Sequence, residues 1–281
     1  MSEMTEPALE DLVACAVLGD KGAAKEVVLR IQDPIYGLAL RILGHPADAE
    51  DASQEILMVV LTHLASFRGE SAFRTWVFRV AARRLLRIKR GRLEHESFEV
   101  IEERIRQGSA VEASTMPEAE LSLLAREVEI GCTQAMLLSL DRDERLAFVL
   151  AEVFELSGDE AAGALEIEPS AYRKRLSRAR TRLTEFIKRV CGLVDADNAC
   201  RCARQVPIAR AAGLLDPARL LYATHPERGA RREAVAERAR EVAELHRLSF
   251  VYRQHPDYAA PDRLRRLVDE MLDAEKFRLF H

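Results

Sequence analysis

Long apolar runs are missing from this chain of 281 residues. A helix that crosses a bilayer needs about 18 or more consecutive apolar residues, and no such stretch occurs. The first ten residues carry acidic side chains where a secretory signal needs basic ones followed by an apolar segment. We therefore expect a protein that stays in the cytoplasm and has no contact with a membrane.

Glycine, cysteine and aromatic residues are also scarce. The chain has 13 glycines, and aromatic residues make up 6% of it. Its five cysteines are an odd number spread over a long chain, which argues against a disulfide scaffold and favours reduced thiols. Few segments alternate apolar and polar residues as strands do, whereas Ala, Leu, Arg and Glu are abundant. These features predict an all-α fold.

Motifs of the common enzyme classes are absent as well. The sequence has no nucleotide-binding glycine loop, no HExxH metal motif and no nucleophile elbow, so we do not expect an enzyme. The formal net charge of −4 is small, but charges of one sign gather on single helical faces.

Proline, glycine and polar clusters divide the chain into four predicted parts. These are a helical bundle over residues 9–91, a linker over 92–117, a second helical domain over 118–190 and a helical extension over 191–281. In the first part we expect helix breaks at Asp33-Pro34 and at Gly44, because proline disfavours helix before it. A short helix is predicted in the linker, over residues 100–107, and further helices in the extension, over residues 217–223, 231–252 and 262–280.

A short helix, a tight turn and a longer helix are predicted between residues 157 and 190. Ser157 and Glu160 form a capping box that opens the short helix, and Pro169 opens the long one. Asp141 and Glu144 predict another capping box, at the start of the helix that precedes the short one. The apolar stripe of the long helix leaves an opposite face of small hydroxyls and cations, which are Ser170, Arg173, Lys174, Ser177 and Arg178.

Cations and hydroxyls on an exposed helix suit the phosphates and base edges of a DNA major groove. Together with the short helix before it, this face predicts a helix-turn-helix. The alternative is a solvated helix surface that carries charge without binding anything.

Two charged faces are predicted in the first part. A helix near residues 71–90 carries Arg79, Arg83 and Arg87 at helical spacing, and such a row suits a nucleic-acid backbone. Trp76 lies on the apolar stripe of that helix and is expected in the core. A preceding helix, from about residue 47 to 64, has an acidic side on which we single out Asp48, Asp51, Gln54 and Glu55. The alternative for this side is a solvent-facing row that aids solubility.

Five segments of the sequence resemble regions of a known protein family. Residues 43–55 and 67–77 resemble region 2 of bacterial RNA polymerase sigma factors of the extracytoplasmic-function class. Residues 140–145, 156–162 and 172–180 are similar to region 4 of the same family. Both regions occur in the family's order, with a linker between them, and the resemblance covers about residues 9–190.

The resemblance implies a transcription initiation factor that binds core RNA polymerase and promoter DNA. In the family the acidic helix docks on the polymerase clamp, which assigns that role to Asp48, Asp51, Gln54 and Glu55. The basic helix, with Arg79, Arg83 and Arg87, would open and read the minus-10 element, and the helix-turn-helix face would read the minus-35 element. An anti-sigma factor is a further partner that the resemblance suggests.

Three thiols lie close together in the sequence at the start of the extension. Cys191, Cys200 and Cys202 fall within twelve residues, and zinc would need one more ligand, for which His225, His246 and His255 are available. A loop that merely contains cysteines is the alternative. The initiation function itself requires no cofactor, so zinc is an option at this cluster only. A rival hypothesis for the whole chain is a stand-alone helix-turn-helix regulator that senses metal or redox state through these thiols.

Overall fold

The computed structural model describes residues 8–89, 91, 94, 96–110, 116–224, 252–253, 255–256 and 258–273. Within these residues the chain is all-α, as predicted, and has no β-strand. The helices are α1 (Leu9–Val17), α2 (Lys21–Leu43), α3 (Pro46–Thr62), α4 (Phe73–Arg87), α5 (Phe98–Ser109), α6 (Glu118–Leu138), α7 (Arg142–Glu152), α8 (Gly158–Leu165), α9 (Pro169–Val190), α10 (Cys202–Ala211) and α11 (Asp262–Asp273). We call α1–α4 the N-terminal bundle and α6–α9 the central domain. None of these helices is long and apolar enough to cross a membrane.

Helix α2 is the centre of the N-terminal bundle and runs without a break through Pro34. The predicted interruption at Asp33-Pro34 is therefore wrong, although Pro34 removes one N–H from the helix. Burial of the turns on both sides outweighs that loss, because Ile31, Ile35 and Leu38 are all buried in the core. The predicted end at Gly44 is confirmed, and the break between the first two helices lies before the Asp20 N-cap instead.

Gly44 is a point where three parts of the chain meet. Its φ of 81° is in the left-handed region, which favours glycine. A Cβ atom at this position would lie 2.4 Å from Cδ1 of Leu138, at the end of α6. The hydroxyl of Tyr222, in the extension, donates to the Gly44 carbonyl at 2.6 Å. Only glycine fits this backbone and this contact.

Helices α3 and α4 complete the bundle. Pro46 is the first residue of α3, where a missing N–H has no cost. Helix α4 begins at Phe73 and ends at Arg87, a little inside the predicted range. Trp76 is half-buried and stacks on Phe73 with ring centroids 5.6 Å apart, so its expected place in the core is confirmed.

The central domain has the predicted helix-turn-helix in α8 and α9. The Ser157–Glu160 capping box forms in both directions, at 2.8 and 3.3 Å. The second predicted box is wrong: the side chain of Asp141 does not cap α7. Glu144 instead accepts hydrogen bonds from an arginine of α9. The carboxylate of Glu144 therefore attracts α9 to α7 and does not take part in a cap.

A buried ion cluster joins the N-terminal bundle to the central domain. Glu94 pairs with Arg142 at 2.6 Å and with Arg145 at 2.8 Å, and all three side chains are almost fully buried. Arg142 also donates to the Leu85 carbonyl at the end of α4, and Arg145 donates to the Ile42 carbonyl in α2. One apolar core continues across both sets of helices.

The extension differs most from the prediction. Helix α10 forms over Cys202–Ala211, where none was predicted. Residues 217–223 form turns rather than the predicted helix. The Glu127 carboxylate of α6 accepts the amides of Leu221, Tyr222 and Ala223, which holds this segment as a loop. The helix predicted over 231–252 lies almost wholly outside the described residues, and α11 covers the described part of the one predicted over 262–280.

Candidate nucleic-acid interface

Helix α9 presents the predicted polar face to the outside of the protein. Its apolar stripe, which includes Tyr172, Leu176 and Leu183, is buried against the central domain. On the opposite side all five predicted DNA-binding residues are exposed, namely Ser170, Arg173, Lys174, Ser177 and Arg178. The structure thus brings this predicted set together on one accessible surface, which we call the α9 face.

The cations of α9 divide into two groups. Four of its arginines pair with carboxylates of α7 and so attach the two helices to each other. The pairs are Arg175 with Asp143 at 2.9 Å, Arg178 with Glu144 at 3.1 Å, Arg182 with Glu144 at 2.8 Å and Arg180 with Glu152 at 2.5 Å. Arg173 and Lys174 have no ion-pair partner among the described residues. Arg178 shares features of both groups, because it pairs with Glu144 while its side chain remains 64% exposed.

The basic row of α4 is covered by the helix-turn-helix of the central domain. Arg79 Nε donates to the Gly163 carbonyl of α8 at 3.1 Å, and Arg83 binds both carboxylate oxygens of Glu166. Arg74, one turn earlier, donates to the Phe154 carbonyl at 2.8 Å. We call this contact the α4–α8 contact. Sequence patterns carry no signal for it, because its partners lie about 80 residues apart.

Electrostatics strengthen the α4–α8 contact. The hydrogen bond from Arg83 holds the pKa of Glu166 below its usual range, and the same bond raises the pKa of Arg83. Glu166 is the C-cap residue of α8, and its φ of 55° is in the left-handed region. Its carboxylate contacts Arg83 of α4. Arg87, at the end of α4, is exposed and has no ion-pair partner in the described part of the chain. Two of the three predicted arginines are therefore occupied and one is accessible.

The predicted acidic face of α3 is only partly accessible. Asp48 and Asp51 are exposed, whereas Gln54 and Glu55 are half-buried. Glu55 pairs with Arg84 of α4 within the bundle. Glu50, which the sequence analysis did not single out, pairs with Arg263 of the extension at 3.4 Å.

The thiols of the extension influence the protonation of a fourth one. Burial raises the pKa of Cys132 in α6 well above its usual value, and the side chains of Cys200, Cys202 and Cys191 raise it further. Burial also raises the pKa of Cys191 and Cys200, and that of Cys202 to about 12. The sequence predicts Cys132 in a helix and carries no signal for this electrostatic influence of the loop thiols.

The described residues contain no group of three or more His, Cys, Asp or Glu side chains arranged to hold a metal ion. Of the predicted histidine ligands, His225 and His246 lie outside the described residues. His255 is buried, with Nε2 at 2.5 Å from the Thr133 hydroxyl. The zinc site of Cys191, Cys200 and Cys202 stays a prediction.

The end of the extension touches both the bundle and the central domain. Arg253 donates to the Glu152 carbonyl of α7 at 2.7 Å and pairs with Glu155 at 2.9 Å. A few residues later the Ala260 amide donates to Asp33 of α2 at 2.8 Å. We call residues 252–273 the bridging segment, since it contacts α7 at its start and α2 and α3 at its end.

Comparison with known proteins identifies two family regions in this fold. The family model of sigma-70 region 2 matches residues 27–93, which include most of the N-terminal bundle and end one residue before Glu94. The family model of sigma-70 region 4 matches residues 130–183, which run from α6 through most of α9. Both matches end before the extension.

Relatives of known identity match across the same part of the chain. The RNA polymerase sigma-H factor of Pseudomonas aeruginosa is 29% identical over 188 residues, or 66% of this chain and 96% of that relative. The ECF RNA polymerase sigma-E factor of Escherichia coli K12 is 31% identical over 166 residues, or 58% of this chain and 85% of that relative.

Among solved structures, CnrH in complex with the cytosolic domain of CnrY matches with a TM-score of 0.48 at 24% identity, and the match covers 68% of this chain and 100% of that one. Two family regions in order, with a relative above 30% identity matched over most of its length, settle the family. The chain belongs to the extracytoplasmic-function sigma factors, the transcription initiation factors that direct RNA polymerase to specific promoters.

Proposed function

We propose that this sigma factor reads the minus-35 element with the α9 face. The observation that carries this assignment is the exposure of all five polar residues on one side of α9, with Arg173 and Lys174 unpaired among the described residues. Unpaired cations can neutralise phosphates without first breaking an internal ion pair. Ser170 and Ser177 lie on the same side and can donate to phosphates or to base edges.

Arg79, Arg83 and Arg87 of α4 bind the minus-10 element in this proposal. Arg79 and Arg83 are engaged by α8, so DNA can reach them only after the α4–α8 contact separates. The arginine pairs of this contact are exposed or half-exposed, and pairs of that kind contribute only about 0–1 kcal/mol each. Opening the contact also separates apolar side chains of α4 and α8 that share one buried core, so binding of polymerase and DNA must supply that further cost.

The bridging segment favours the closed arrangement in which α4 is covered. It attaches to the central domain through Arg253 and to the N-terminal bundle through Ala260, so both attachments are satisfied together only when the two are adjacent. This assigns a regulatory role to the extension. Binding of polymerase or DNA to separated domains would have to break one of these attachments.

Core RNA polymerase binds the acidic face of α3 in this proposal. Asp48 and Asp51 are exposed and suited to a basic surface, and Gln54 and Glu55 extend the same side of the helix. The chain makes and breaks no bond itself and acts in the cytoplasm together with the polymerase. An anti-sigma factor remains a predicted partner, on the strength of the family resemblance alone.

Membership of the sigma family disfavours the rival hypothesis of a stand-alone regulator. Zinc at Cys191, Cys200 and Cys202 is retained only as an optional ligand. The described residues, which include all three cysteines, contain no group arranged to hold a metal ion, and the raised pKa of each thiol opposes formation of the thiolates that bind metal.

Transcription in vitro tests the proposed function. The full-length chain is added to purified core polymerase with fragments of the source genome, and 5′ ends of the transcripts are mapped. We expect new start sites that share two sequence elements, and no specific duplex binding by the chain without polymerase. Start sites identical to those of core polymerase alone would contradict the assignment. Tight specific binding without polymerase would favour the stand-alone regulator.

A further inference from the structure

Helix α11 of the extension packs against α2 and α3 of the N-terminal bundle. Leu264 is fully buried and belongs to the common apolar core. Two ion pairs add to the attachment: Asp269 pairs with Lys25 of α2 at 2.6 Å, and Arg263 pairs with Glu50 of α3 at 3.4 Å. The attachment of α11 thus combines an apolar contact with charge pairs at the surface.

The pair of Arg263 and Glu50 lies next to residues of α3 that we assign to polymerase binding. Glu50 precedes Gln54 by four residues, and residues at this spacing lie on the same side of a helix. Asp51, which is exposed, follows Glu50 directly. A partner that covers Gln54 therefore meets α11 at Glu50.

The charge of Arg263 opposes a basic partner at this place. Its side chain is 66% exposed and lies against a carboxylate of the helix whose acidic side suits a basic surface. Such a surface would be repelled by the guanidinium and would compete with it for the negative charge of α3. Helix α11 and the proposed polymerase contact therefore depend on the same charge complementarity.

Helix α11 is held less firmly than the start of the bridging segment. Tyr252 is fully buried and packs edge-to-face on Phe148, with ring centroids 5.1 Å apart, and the buried His255 contacts the Thr133 hydroxyl. Each of the two ion pairs of α11, by contrast, contains a side chain that is more than half exposed, and such pairs contribute little to stability. Local opening starts where attachment is weakest, so α11 can leave while residues 252–255 stay.

We infer that α11 and core polymerase exclude each other from α3, which rests on the proposed role of α3 in polymerase binding. The extension then limits access of polymerase as well as access of DNA. The coupling is reciprocal: docking of α11 lowers the affinity for polymerase, and polymerase binding releases α11. Separation of the bundle from the central domain does not by itself release α11, because α2 and α3 both belong to the bundle.

Hydrogen exchange followed by mass spectrometry tests the release directly, on the full-length chain alone and in complex with core polymerase. A helix as short as α11 is marginal in water once detached, so we expect the amides of residues 262–273 to exchange at least tenfold faster in the complex. Helix α10, which packs on α5 and α6, is the internal control and should keep its rate. Unchanged protection of α11, or an equal increase in α10, would overturn the inference.

Two substitutions in α11 test the effect on affinity. Leu264→Ala removes buried apolar surface without a change of charge, and Arg263→Glu sets two acids against each other at Glu50. Each should raise the affinity of the fluorescently labelled full-length chain for core polymerase at least fivefold at equilibrium. Unchanged affinity in both variants would overturn the inference.

Arg210→Glu is the matched control for the change of charge. Arg210 is exposed on α10 and has no ion-pair partner among the described residues, so we expect a change in affinity of less than twofold. A gain that appears in Arg210→Glu and Arg263→Glu but not in Leu264→Ala would be an effect of net charge, and it would also overturn the inference.

Asp51→Lys separates failure of this inference from failure of the proposed function. Asp51 is exposed on the acidic side of α3, and reversal of its charge should weaken polymerase binding at least tenfold. If Asp51→Lys weakens binding and the α11 variants have no effect, only the inference about α11 is wrong. If Asp51→Lys has no effect, the proposed role of α3 is wrong, and the inference fails with it.

Discussion

Arg83 of the basic helix α4 binds both carboxylate oxygens of Glu166, the left-handed residue that ends α8. The pair joins the proposed minus-10 reader to the helix-turn-helix of the proposed minus-35 reader. It therefore couples exposure of one DNA-binding surface to the position of the other.

Glu166→Lys should open the α4–α8 contact. The substitution sets a third cation against Arg79 and Arg83, so repulsion replaces the ion pair. We expect the rate at which phenylglyoxal modifies Arg83 to rise severalfold, as measured by mass spectrometry. Glu168→Lys is the matched control, since Glu168 is exposed two residues away and pairs with neither arginine. An unchanged rate at Arg83 in Glu166→Lys would contradict the coupling.

Arg253→Ala should also favour the open arrangement, by detaching the bridging segment from α7. Arg253 bonds to the Glu152 carbonyl and to Glu155, both in the central domain. We expect faster modification of Arg83 and more transcription from a mapped promoter. Arg266→Ala is the control, because Arg266 lies in the same segment, is exposed and has no ion-pair partner among the described residues. An equal effect of Arg266→Ala would argue against a bridge.

Arg173→Ala and Lys174→Ala should each weaken promoter binding by the polymerase complex. A contact to base edges is worth about 1–3 kcal/mol, and loss of a phosphate contact lowers the salt dependence by about one unit of slope. Arg189→Ala is a control on the same helix, about 24 Å further along, where the side chain pairs with Glu102. Footprints over the minus-35 region measure the effect, and footprints that do not change in Arg173→Ala and Lys174→Ala would refute the role of the α9 face.

Glu94→Gln should destabilise the fold by about 3–5 kcal/mol, because it leaves Arg142 and Arg145 buried without their counter-charge. Urea unfolding measures the loss. The half-buried pair of Glu96 and Arg104 gives the control, and we expect Glu96→Gln to cost about 1 kcal/mol or less. A small loss in Glu94→Gln would show that the cluster is not needed to join the two domains.

The contribution of Glu94 also depends on pH. Burial raises the pKa of this carboxyl, but the hydrogen bond from Arg142 and the charge of Arg145 outweigh burial, so its pKa is below the ordinary value. The stabilisation is therefore present above the ordinary pKa of a glutamate and is lost as the pH falls through the lowered one. The difference in stability between the parent and Glu94→Gln should narrow in acid.

The thiols should differ in reactivity at neutral pH. Burial raises the pKa of Cys132, Cys191, Cys200 and Cys202, which keeps them protonated, whereas Cys15 is exposed. Only the thiolate reacts with iodoacetamide, so we expect Cys15 to be alkylated first and the other four slowly. All five should react in urea. Alkylation of Cys200 as fast as Cys15 in the native protein would contradict this.

The sequence predicted those features that depend on local spacing. The Ser157–Glu160 cap, the Pro169 start of α9 and the composition of the α9 face all follow from residues within a few turns of one another. The predicted helix break at Pro34 and the predicted capping box with Glu144 were wrong, because residues distant in sequence determine the surroundings of both. Burial on both sides keeps α2 helical at Pro34, and arginines of α9 engage Glu144.

The covering of α4 by α8 had no local signal at all. The sequence pattern predicts that Arg79 and Arg83 are accessible cations. Only the packing of the central domain on the N-terminal bundle places Gly163 and Glu166 in contact with them. The loop over residues 217–223 is a similar case, since a single carboxylate from α6 decides between helix and loop there.

Gly44 makes three positions of the chain mutually dependent. The absent side chain leaves room for Leu138, and the carbonyl of the same residue receives the Tyr222 hydroxyl. A change at Gly44 would push against the end of α6 and shift the acceptor of the extension at the same moment. Among natural variants of this protein, the residues at positions 44, 138 and 222 should therefore vary together or not at all.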